Sequence, residues 1–247
     1  MLTCYDTLLR IELAAVRAWP AAESAGLAGW LWRYSGGGSQ RANSVSPIAF
    51  SGSDVEAAIG EAEQRYRRRG AAPMFQISNV TQPADLDARL QARGYRLKEP
   101  CACLAKAIAE APMPTGVEIA DQVTDAWLDV YLAGITPSRR PQAPAILRRV
   151  PAPCAFLLLQ RDGQPASVAL AVAADGVVVA ECVATRLEHR RAGASERVMR
   201  ALEAWGAANG AQVAALQAVT ANAPAQALYA KLDYRRVGGY HYRVLDS

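Results

Sequence analysis

The sequence predicts an α/β protein made of two related halves. Stretches of alternating or continuous apolar residues, typical of strands, are interspersed with stretches whose apolar residues recur every three or four positions, typical of helices. One order of elements occurs twice: a helix that ends at a glycine, a strand, a helix that begins near a proline, and a final strand. The first copy ends its helix at Gly70 and the second at Gly210, an offset of about 140 residues. We therefore predict that both halves contain the C-terminal part of one fold.

The elements of the first half, residues 1–110, follow from these patterns. They are a helix at 5–19 ended by Pro20, a strand at 28–34 with a hairpin partner at 42–50, a helix at 54–69, a strand at 74–80, a helix at 83–93 and an extended segment at 95–107. Gly36, Gly37 and Gly38 lie inside the predicted hairpin. No Lys-Ser or Lys-Thr pair follows them, so we interpret them as its turn and not as a phosphate-binding loop.

A short proline-rich segment, residues 111–116, marks the boundary between the halves because it has no periodic pattern. The same apolar patterns predict the elements of the second half, residues 117–247. They are a strand at 117–120, a helix at 123–132, a proline-interrupted stretch at 137–144, and three strands at 155–159, 166–174 and 177–185.

A glycine-bearing turn then joins the last of these strands to an amphipathic helix that runs to Ala208. Arg190, Arg191 and Gly193 lie in this turn. Such a turn directs unpaired N–H groups and the positive end of the helix dipole towards one place, which suits an anion. Two arginines favour a diphosphate over a carboxylate. Taken alone, the pattern fits equally well a tight turn with solvated arginines.

A second informative stretch begins at Asn222, a good helix N-cap, and carries Pro224 in the first turn. Ala225, Leu228 and Tyr229 follow at helical spacing, which predicts one buried helix face. Tyr229 by itself fits a core residue as well as a functional one.

Together the two stretches resemble the GNAT superfamily of N-acetyltransferases. Arg190-Arg-Ala-Gly193-Ala-Ser195 is similar to its Arg/Gln-x-x-Gly-x-Gly/Ala signature, with serine at the last place. The stretch from Asn222 to Tyr234 is similar to Asn-x-x-Ala-x-x-Leu-Tyr-x-x-x-Gly-Phe, with Asp233 in the place of glycine. The resemblance implies a mixed, mostly antiparallel central sheet flanked by helices, in two tandem GNAT-like halves. The first half is a degenerate copy, since it lacks both motifs.

The resemblance also implies an activity, the transfer of an acetyl group from acetyl-coenzyme A to a primary amine by direct attack. The predicted cofactor-binding residues are Val183 and Thr185, whose main chain holds the pantetheine arm, the turn residues Arg190, Arg191, Ala192, Gly193, Ala194, Ser195 and Glu196, and Asn222. Tyr229 is the predicted general acid, because a phenol with a pKa of about 10 is protonated at neutral pH and can still protonate a thiolate. The stretch at 137–144 corresponds to the region that selects the acceptor.

A base for the incoming ammonium is predicted at Glu181. Strand alternation puts it on the same face as Val183 and Thr185, although it also fits a surface carboxylate. The same alternation points Cys182 away from Glu181, which argues against an acyl-cysteine intermediate. His241 is a further candidate if the final strand borders the site.

Composition limits the other function classes. The net charge of +4 is mild, and arginine clusters such as Arg67–Arg69 have few aromatic residues nearby, so we expect no nucleic acid partner, with salt-dependent nucleic acid binding as an alternative. Five cysteines and two histidines without ligand spacing predict no metal, and no long apolar run predicts a membrane span. We expect a cytoplasmic monomer or homodimer that acts on a small-molecule or peptide amine acceptor. The alternative is a non-catalytic acyl-coenzyme A sensor or interaction module, since Ser195 and Asp233 depart from the motifs.

Overall fold

The centre of the protein is an eight-stranded sheet in the computed structural model, which describes residues 4–246. The α-helices are α1 (Cys4–Ala18), α2 (Val55–Arg67), α3 (Leu86–Ala92), α4 (Asp125–Gly134), α5 (Ala143–Leu147), α6 (Ala194–Ala208) and α7 (Ala223–Lys231). The strands are β1 (Glu23–Leu27), β2 (Trp30–Tyr34), β3 (Met74–Ser78), β4 (Arg96–Ala107), β5 (Val117–Ala120), β6 (Cys154–Arg161), β7 (Gln164–Ala174), β8 (Val177–Thr185), β9 (Val213–Val219) and β10 (Arg235–Val244). None of the helices within this range is long and apolar enough to cross a membrane.

The sheet has the strand order β3-β10-β4-β9-β8-β7-β6-β5. All neighbouring strands are antiparallel except β8 and β9, which run parallel. Helix α6 makes the crossover between these two strands, as parallel pairs require. The mixed, mostly antiparallel sheet flanked by helices is confirmed.

Strands from before and after the proline-rich segment at 111–116 interleave in this sheet. β10 lies between β3 and β4, and β4 in turn lies between β10 and β9. Residues 101–107 of β4 pair with residues 213–219 of β9 along the whole length of that strand. The backbone hydrogen bonds of β9 and β10 therefore depend on a strand from the first 110 residues. The division into two tandem halves stays a prediction.

The predicted hairpin between 28–34 and 42–50 is reduced to a single antiparallel bridge, between Leu31 and Ser46, and 42–50 is not a strand. β2 pairs with β1, and Ala28 and Gly29 form the two-residue turn between them. Both turn residues have positive φ, 49° and 88°, which matches the twist that tight hairpins need. Residues 42–50 make only isolated bridges, at Val45 and Ser46. The apolar side chain of Ala28 concealed this turn, because alanine rarely takes a positive φ.

Helices cover both faces of the sheet. On one face, Ile11 of α1 and Trp127 of α4 are buried in one cluster with Val179 of β8. On the opposite face, Val198 of α6 is buried in a second cluster with Val178, the residue before Val179 in the same strand. Each such side chain stabilises the fold by roughly 1.5 to 3 kcal/mol when fully buried. We call these the α1 face and the α6 face.

Candidate active site

A gap opens in the sheet between its two parallel strands. The last paired residues are Ala180 of β8 and Leu216 of β9, although β8 continues to Thr185 and β9 to Val219. Beyond Ala180, the main-chain groups of β8 that face β9 have no strand partner. An edge of this kind can hydrogen-bond an extended ligand as an added strand would.

A β-bulge lies in β8 at the start of this gap. Leu170 of β7 pairs with Glu181, and Val168 pairs with Ala184, so two β8 residues lie opposite the single residue Ala169. One of the two is Cys182, whose φ is 56°. The bulge breaks the alternation of side chains that an unbroken strand would have.

The bulge corrects the predicted positions of Glu181 and Cys182. Glu181 lies opposite Leu170, which belongs to the cluster on the α1 face, whereas Val183 packs in the cluster on the α6 face. Strand alternation predicts that Glu181 and Val183 share a face. In the structure they lie on opposite faces. Cys182 also packs on the α1 face, so it does not point away from Glu181. Burial and the nearby Glu181 carboxylate raise the pKa of the Cys182 thiol, which keeps it protonated and a poor nucleophile.

A cavity of about 570 Å³ lies on the α6 face, between β8, α6 and α7. We call it the α6 cavity. The predicted cofactor-binding residues that line it are Val183, Thr185, Arg190, Arg191, Gly193, Ala194, Ser195, Glu196 and Asn222. Tyr229 lines it as well, while Ala192 lines a smaller neighbouring cavity of about 210 Å³. Sequence reasoning missed other lining residues, among them Gly134 and Lys231.

Helix α6 begins without a side-chain cap. Its N-cap residue is Gly193, with φ 78°, whereas side chains of Asp54, Thr124 and Asn222 cap α2, α4 and α7. The first-turn N–H groups of α6 thus lack the side-chain partner that α2, α4 and α7 have, as do those of the shorter α3 and α5. Because Gly193 and the first residues of α6 line the α6 cavity, this positive helix end faces the space that an anion would enter.

Side-chain hydrogen bonds fix the end of β8 to the start of α6. Thr185 Oγ1 lies 2.7 Å from Ser195 Oγ and 2.7 Å from Ser167 Oγ. Arg190 Nε donates to the Thr185 carbonyl oxygen at 3.2 Å. Ser195, which replaces the glycine or alanine of the GNAT signature, therefore links the strand to the helix.

A further link joins the two helices of the α6 cavity. The carboxylate of Glu196 accepts from Lys231 Nζ at 2.6 Å and from Arg200 Nη2 at 3.0 Å. The hydrogen bond from Lys231 lowers the pKa of Glu196 most, and the one from Arg200 lowers it further. Glu196 and Lys231 thereby tie the first turn of α6 to the end of α7.

Tyr229 lies on α7 with only 7% of its surface exposed and packs edge-to-face on Tyr234, with ring centroids 6.0 Å apart. Burial raises the pKa of its phenol above the usual value, and the Glu181 carboxylate raises it further. Asn222 caps this helix by accepting from the N–H of Ala225 at 3.3 Å. The phenol is therefore held protonated at the wall of the α6 cavity.

Asp233 occupies the turn after α7 where the GNAT motif has glycine. Its φ is 65°, in the left-handed region that asparagine and aspartate tolerate better than most other residues. The turn therefore keeps the conformation that a glycine would allow.

Glu181 is bound by a cation from the first half of the chain. Arg41 donates hydrogen bonds to both carboxylate oxygens of Glu181, that from Nη2 to Oε2 at 2.6 Å, and both side chains are largely buried. The guanidinium also lies over the Trp19 ring, 5.2 Å from its centroid. Glu181 is thus neither a free base nor a surface carboxylate. No sequence signal links residues 140 positions apart, so sequence reasoning missed Arg41.

A second cavity, of about 470 Å³, lies on the α1 face, and we call it the β10 cavity. Its walls come from both parts of the chain and include Gly38, Arg41, Cys101, Arg139, Gln217 and Tyr240. Gln217 and Val219 belong to the part of β9 beyond its last pair with β8. His241 points elsewhere, since its Nε2 lies 2.8 Å from Asp87 Oδ1 and it lines neither cavity.

The opened parallel pair, the bulged strand and the uncapped α6 at a glycine turn occur together in this fold, and the family and relative that the chain matches identify it as an N-acetyltransferase of the GNAT superfamily. The family model described as "Probable histone acetyltransferase Rv0428c C-terminal" matches residues 7–243, and the chain belongs to that family.

Individual relatives agree with this assignment. The "Uncharacterized N-acetyltransferase YobR" of Bacillus subtilis (strain 168) is 29% identical over 249 residues, covering 97% of this chain and 99% of its own. A GCN5-related N-acetyltransferase from Kribbella flavida has a similar fold, with a TM-score of 0.72 at 17% identity, over 100% of this chain and 97% of its own. A tandem GNAT protein from the clavulanic acid biosynthesis pathway has a TM-score of 0.61 at 10% identity, and the match covers 99% of this chain and 96% of that protein.

Proposed function

We propose that the protein transfers the acetyl group of acetyl-coenzyme A directly to a primary amine, across the gap between β8 and β9. The observation that supports this most is the position of the two cavities. The α6 cavity includes Val183 and Thr185 of the unpaired part of β8, and the β10 cavity includes Gln217 and Val219 of the unpaired part of β9. Two reactants bound from opposite faces would meet at this gap, which gives the proximity that bimolecular transfer needs.

The α6 cavity suits acetyl-coenzyme A. The uncapped α6 N-terminus and the side chains of Arg190 and Arg191 would hold its diphosphate, and the open edge of β8 at Val183 would hold its pantetheine arm. Each charge-assisted hydrogen bond to phosphate contributes roughly 1.5 to 3 kcal/mol. When bound, acetyl-coenzyme A supplies a thioester carbonyl and a thiol leaving group.

Tyr229 is the proposed general acid. Its phenol lines the α6 cavity and is held protonated by burial and by the Glu181 carboxylate. It therefore carries its proton when the thioester is bound, and it would donate this proton as negative charge develops on the leaving sulfur and recover one from the acetylated nitrogen.

The β10 cavity is the proposed acceptor site. Its charged lining residues are Arg41, Lys98, Glu99 and Arg139. Arg41 is paired with Glu181, and Glu99 accepts a hydrogen bond from Gln40. Within residues 4–246, neither Lys98 nor Arg139 has a carboxylate partner within 4.0 Å. The cavity therefore favours a small-molecule or peptide amine that also carries an acidic group.

The test is an acceptor screen with the wild-type protein and acetyl-coenzyme A. Amino acids with acidic side chains, neutral amino acid amides, polyamines and lysine peptides are compared, and products are measured by mass spectrometry together with release of free thiol. We expect N-acetylated product, with kcat/KM highest for acidic amines. Acetyl-coenzyme A binding without product from any amine would support the sensor alternative instead.

A further inference from the structure

Of the four buried glutamates within residues 4–246, one lacks a cationic partner. Buried glutamates are normally paired, because an isolated buried charge is costly. Three of them follow this rule, in the pairs Glu63–Arg67, Glu181–Arg41 and Glu203–Lys106. Glu12 of α1 is 4% exposed, yet no cation of residues 4–246 lies within ion-pair distance of it. A buried group without a partner of this kind is a candidate for function.

Glu12 lies directly behind the wall of the β10 cavity. Its Oε1 accepts a hydrogen bond from Gln217 Nε2 at 3.0 Å, and Gln217 lines that cavity. Gln217 also follows Leu216, the last residue of β9 that pairs with β8. Glu12 is thus one hydrogen bond away from the proposed acceptor site, at the point where the sheet opens.

The surroundings of Glu12 give it a carboxyl group that titrates near neutrality. The polar, charged and titratable groups that face it are Gln217, Arg41, Arg33, Cys101 and Cys103. Burial raises the pKa of Glu12 to about 7, while the hydrogen bond from Gln217 and the charges of Arg41 and Arg33 oppose this rise. A group with such a pKa exchanges protons efficiently at neutral pH. Glu181 differs, because both of its oxygens are already bonded to Arg41.

We propose that Glu12 is the proton acceptor for the incoming amine, and that Glu181, whose charge is balanced by Arg41, is not. The proposal rests on the proposed acetyl transfer. An N–H bond of the ammonium breaks and an O–H bond forms on Glu12; because Glu12 lies behind Gln217 and does not itself line the β10 cavity, the proton would pass through a water that reaches Glu12 beside the Gln217 amide. The electron pair stays on nitrogen and attacks the thioester carbonyl. The nitrogen later loses a second proton to the leaving sulfur by way of Tyr229, and Glu12 returns its proton to solvent.

The test compares wild type and Glu12→Gln with acetyl-coenzyme A and three amines, ethylamine, glycinamide and trifluoroethylamine, whose ammonium forms are increasingly acidic. Ethylamine is almost fully protonated at neutral pH and needs a proton acceptor, whereas trifluoroethylamine is largely neutral. We expect Glu12→Gln to lower kcat/KM for ethylamine by roughly 100-fold or more, with a smaller loss for glycinamide and almost none for trifluoroethylamine. A merely structural role would lower all three equally.

The pH profile provides a second readout that does not need a variant. With ethylamine, wild-type kcat/KM should fall as the pH drops below about 7, and with trifluoroethylamine this bend should be absent. Glu63→Gln is the matched control, because Glu63 is buried to a similar degree and lines neither cavity. It should leave the ranking of the amines unchanged.

The outcomes separate the two proposals. Wild-type transfer with full ethylamine activity in Glu12→Gln, or with the same pH profile for ethylamine and trifluoroethylamine, would overturn the role of Glu12 alone. A wild type that acetylates neither these three amines nor any amine of the acceptor screen, the acidic ones included, would count against acetyl transfer itself. Thermal shifts with acetyl-coenzyme A should be the same for wild type and Glu12→Gln, since Glu12 lies outside the α6 cavity.

Discussion

Arg41 and Glu181 are 140 residues apart in sequence and form a two-hydrogen-bond ion pair at the gap in the central sheet. The arginine comes from the segment between β2 and α2, and the carboxylate comes from the bulged part of β8. The first 110 residues therefore contribute a charge to the place where the two cavities meet. They also contribute β4, the strand that separates β9 from β10.

Arg41→Gln should lower the free energy of unfolding strongly, because it leaves the Glu181 carboxylate buried without its cation. Breaking a buried pair in this way costs roughly 3 to 5 kcal/mol. Arg65→Gln is the control, since Arg65 pairs with the half-exposed Glu61 one turn away and its loss should cost at most about 1 kcal/mol. Denaturant titration measures the free energy of unfolding of each variant. Equal losses in the two variants would contradict the structural importance of the Arg41–Glu181 pair.

Tyr229→Phe should lower kcat by roughly 100-fold or more while acetyl-coenzyme A affinity is retained, because only the proton donor is removed. The ring keeps its contact with Tyr234, so the melting temperature should change little. Tyr234→Phe is a matched control from the same edge-to-face pair, and Tyr234 lines neither cavity. Steady-state kinetics and calorimetry give kcat and Kd. Full turnover by Tyr229→Phe would exclude the phenol as general acid.

The stability of the protein should depend on pH through Glu12. Its pKa is about 7 in the folded state and 4.5 ordinarily, so the folded state binds more protons between these values. The free energy of unfolding therefore decreases as the pH rises from 4.5 to 7, by up to roughly 3 kcal/mol. In Glu12→Gln, this pH-dependent contribution to the free energy of unfolding should be absent. Denaturant titrations of both proteins across this range measure the difference, and parallel curves would show that Glu12 has an ordinary pKa.

Residues 117–247 expressed alone should not fold cooperatively. Without β4, both β9 and β10 lose the strand that pairs with them along most of their length. Adding residues 1–110 as a separate chain should restore a single thermal transition and acetyl-coenzyme A binding. Circular dichroism follows the thermal transition, and calorimetry measures the binding of acetyl-coenzyme A. An isolated 117–247 that unfolds cooperatively and binds the ligand would instead establish it as an independent domain.

Local features of this fold could be predicted from the sequence. The turn at Gly193, the N-cap at Asn222 and the buried face of α6 depend on neighbouring residues only, and the patterns that indicate them are short. The structure brings these predicted elements together with Tyr229 around one cavity. The role of each of these residues in binding and catalysis stays a prediction.

Long-range and single-residue features could not be predicted. One bulge at Cys182 reverses the side on which the following residues Val183 and Thr185 lie, so that they do not share a face with Glu181, and bulges leave no clear mark in an alternating apolar strand. The partners of Glu181 and Glu12 come from segments 140 and 205 residues away. In the sequence, Glu12 is simply one polar residue of an amphipathic helix. Only the packing of α1 against the gap in the sheet sets it apart.

The most direct measurement is the thermal shift caused by acetyl-coenzyme A in wild type, Gly193→Asp and Gly210→Asp. Both glycines have positive φ, 78° and 81°, and open space around a Cβ atom, so the strain of substitution is matched, but only Gly193 lines the α6 cavity. At about 100 times Kd, the ligand should add roughly 2.7 kcal/mol to wild type, or about 5 to 10 °C. We expect the same shift in Gly210→Asp and none in Gly193→Asp, where a carboxylate would repel the diphosphate. No shift in wild type, or an equal shift in all three proteins, would contradict acetyl-coenzyme A binding at the α6 N-terminus.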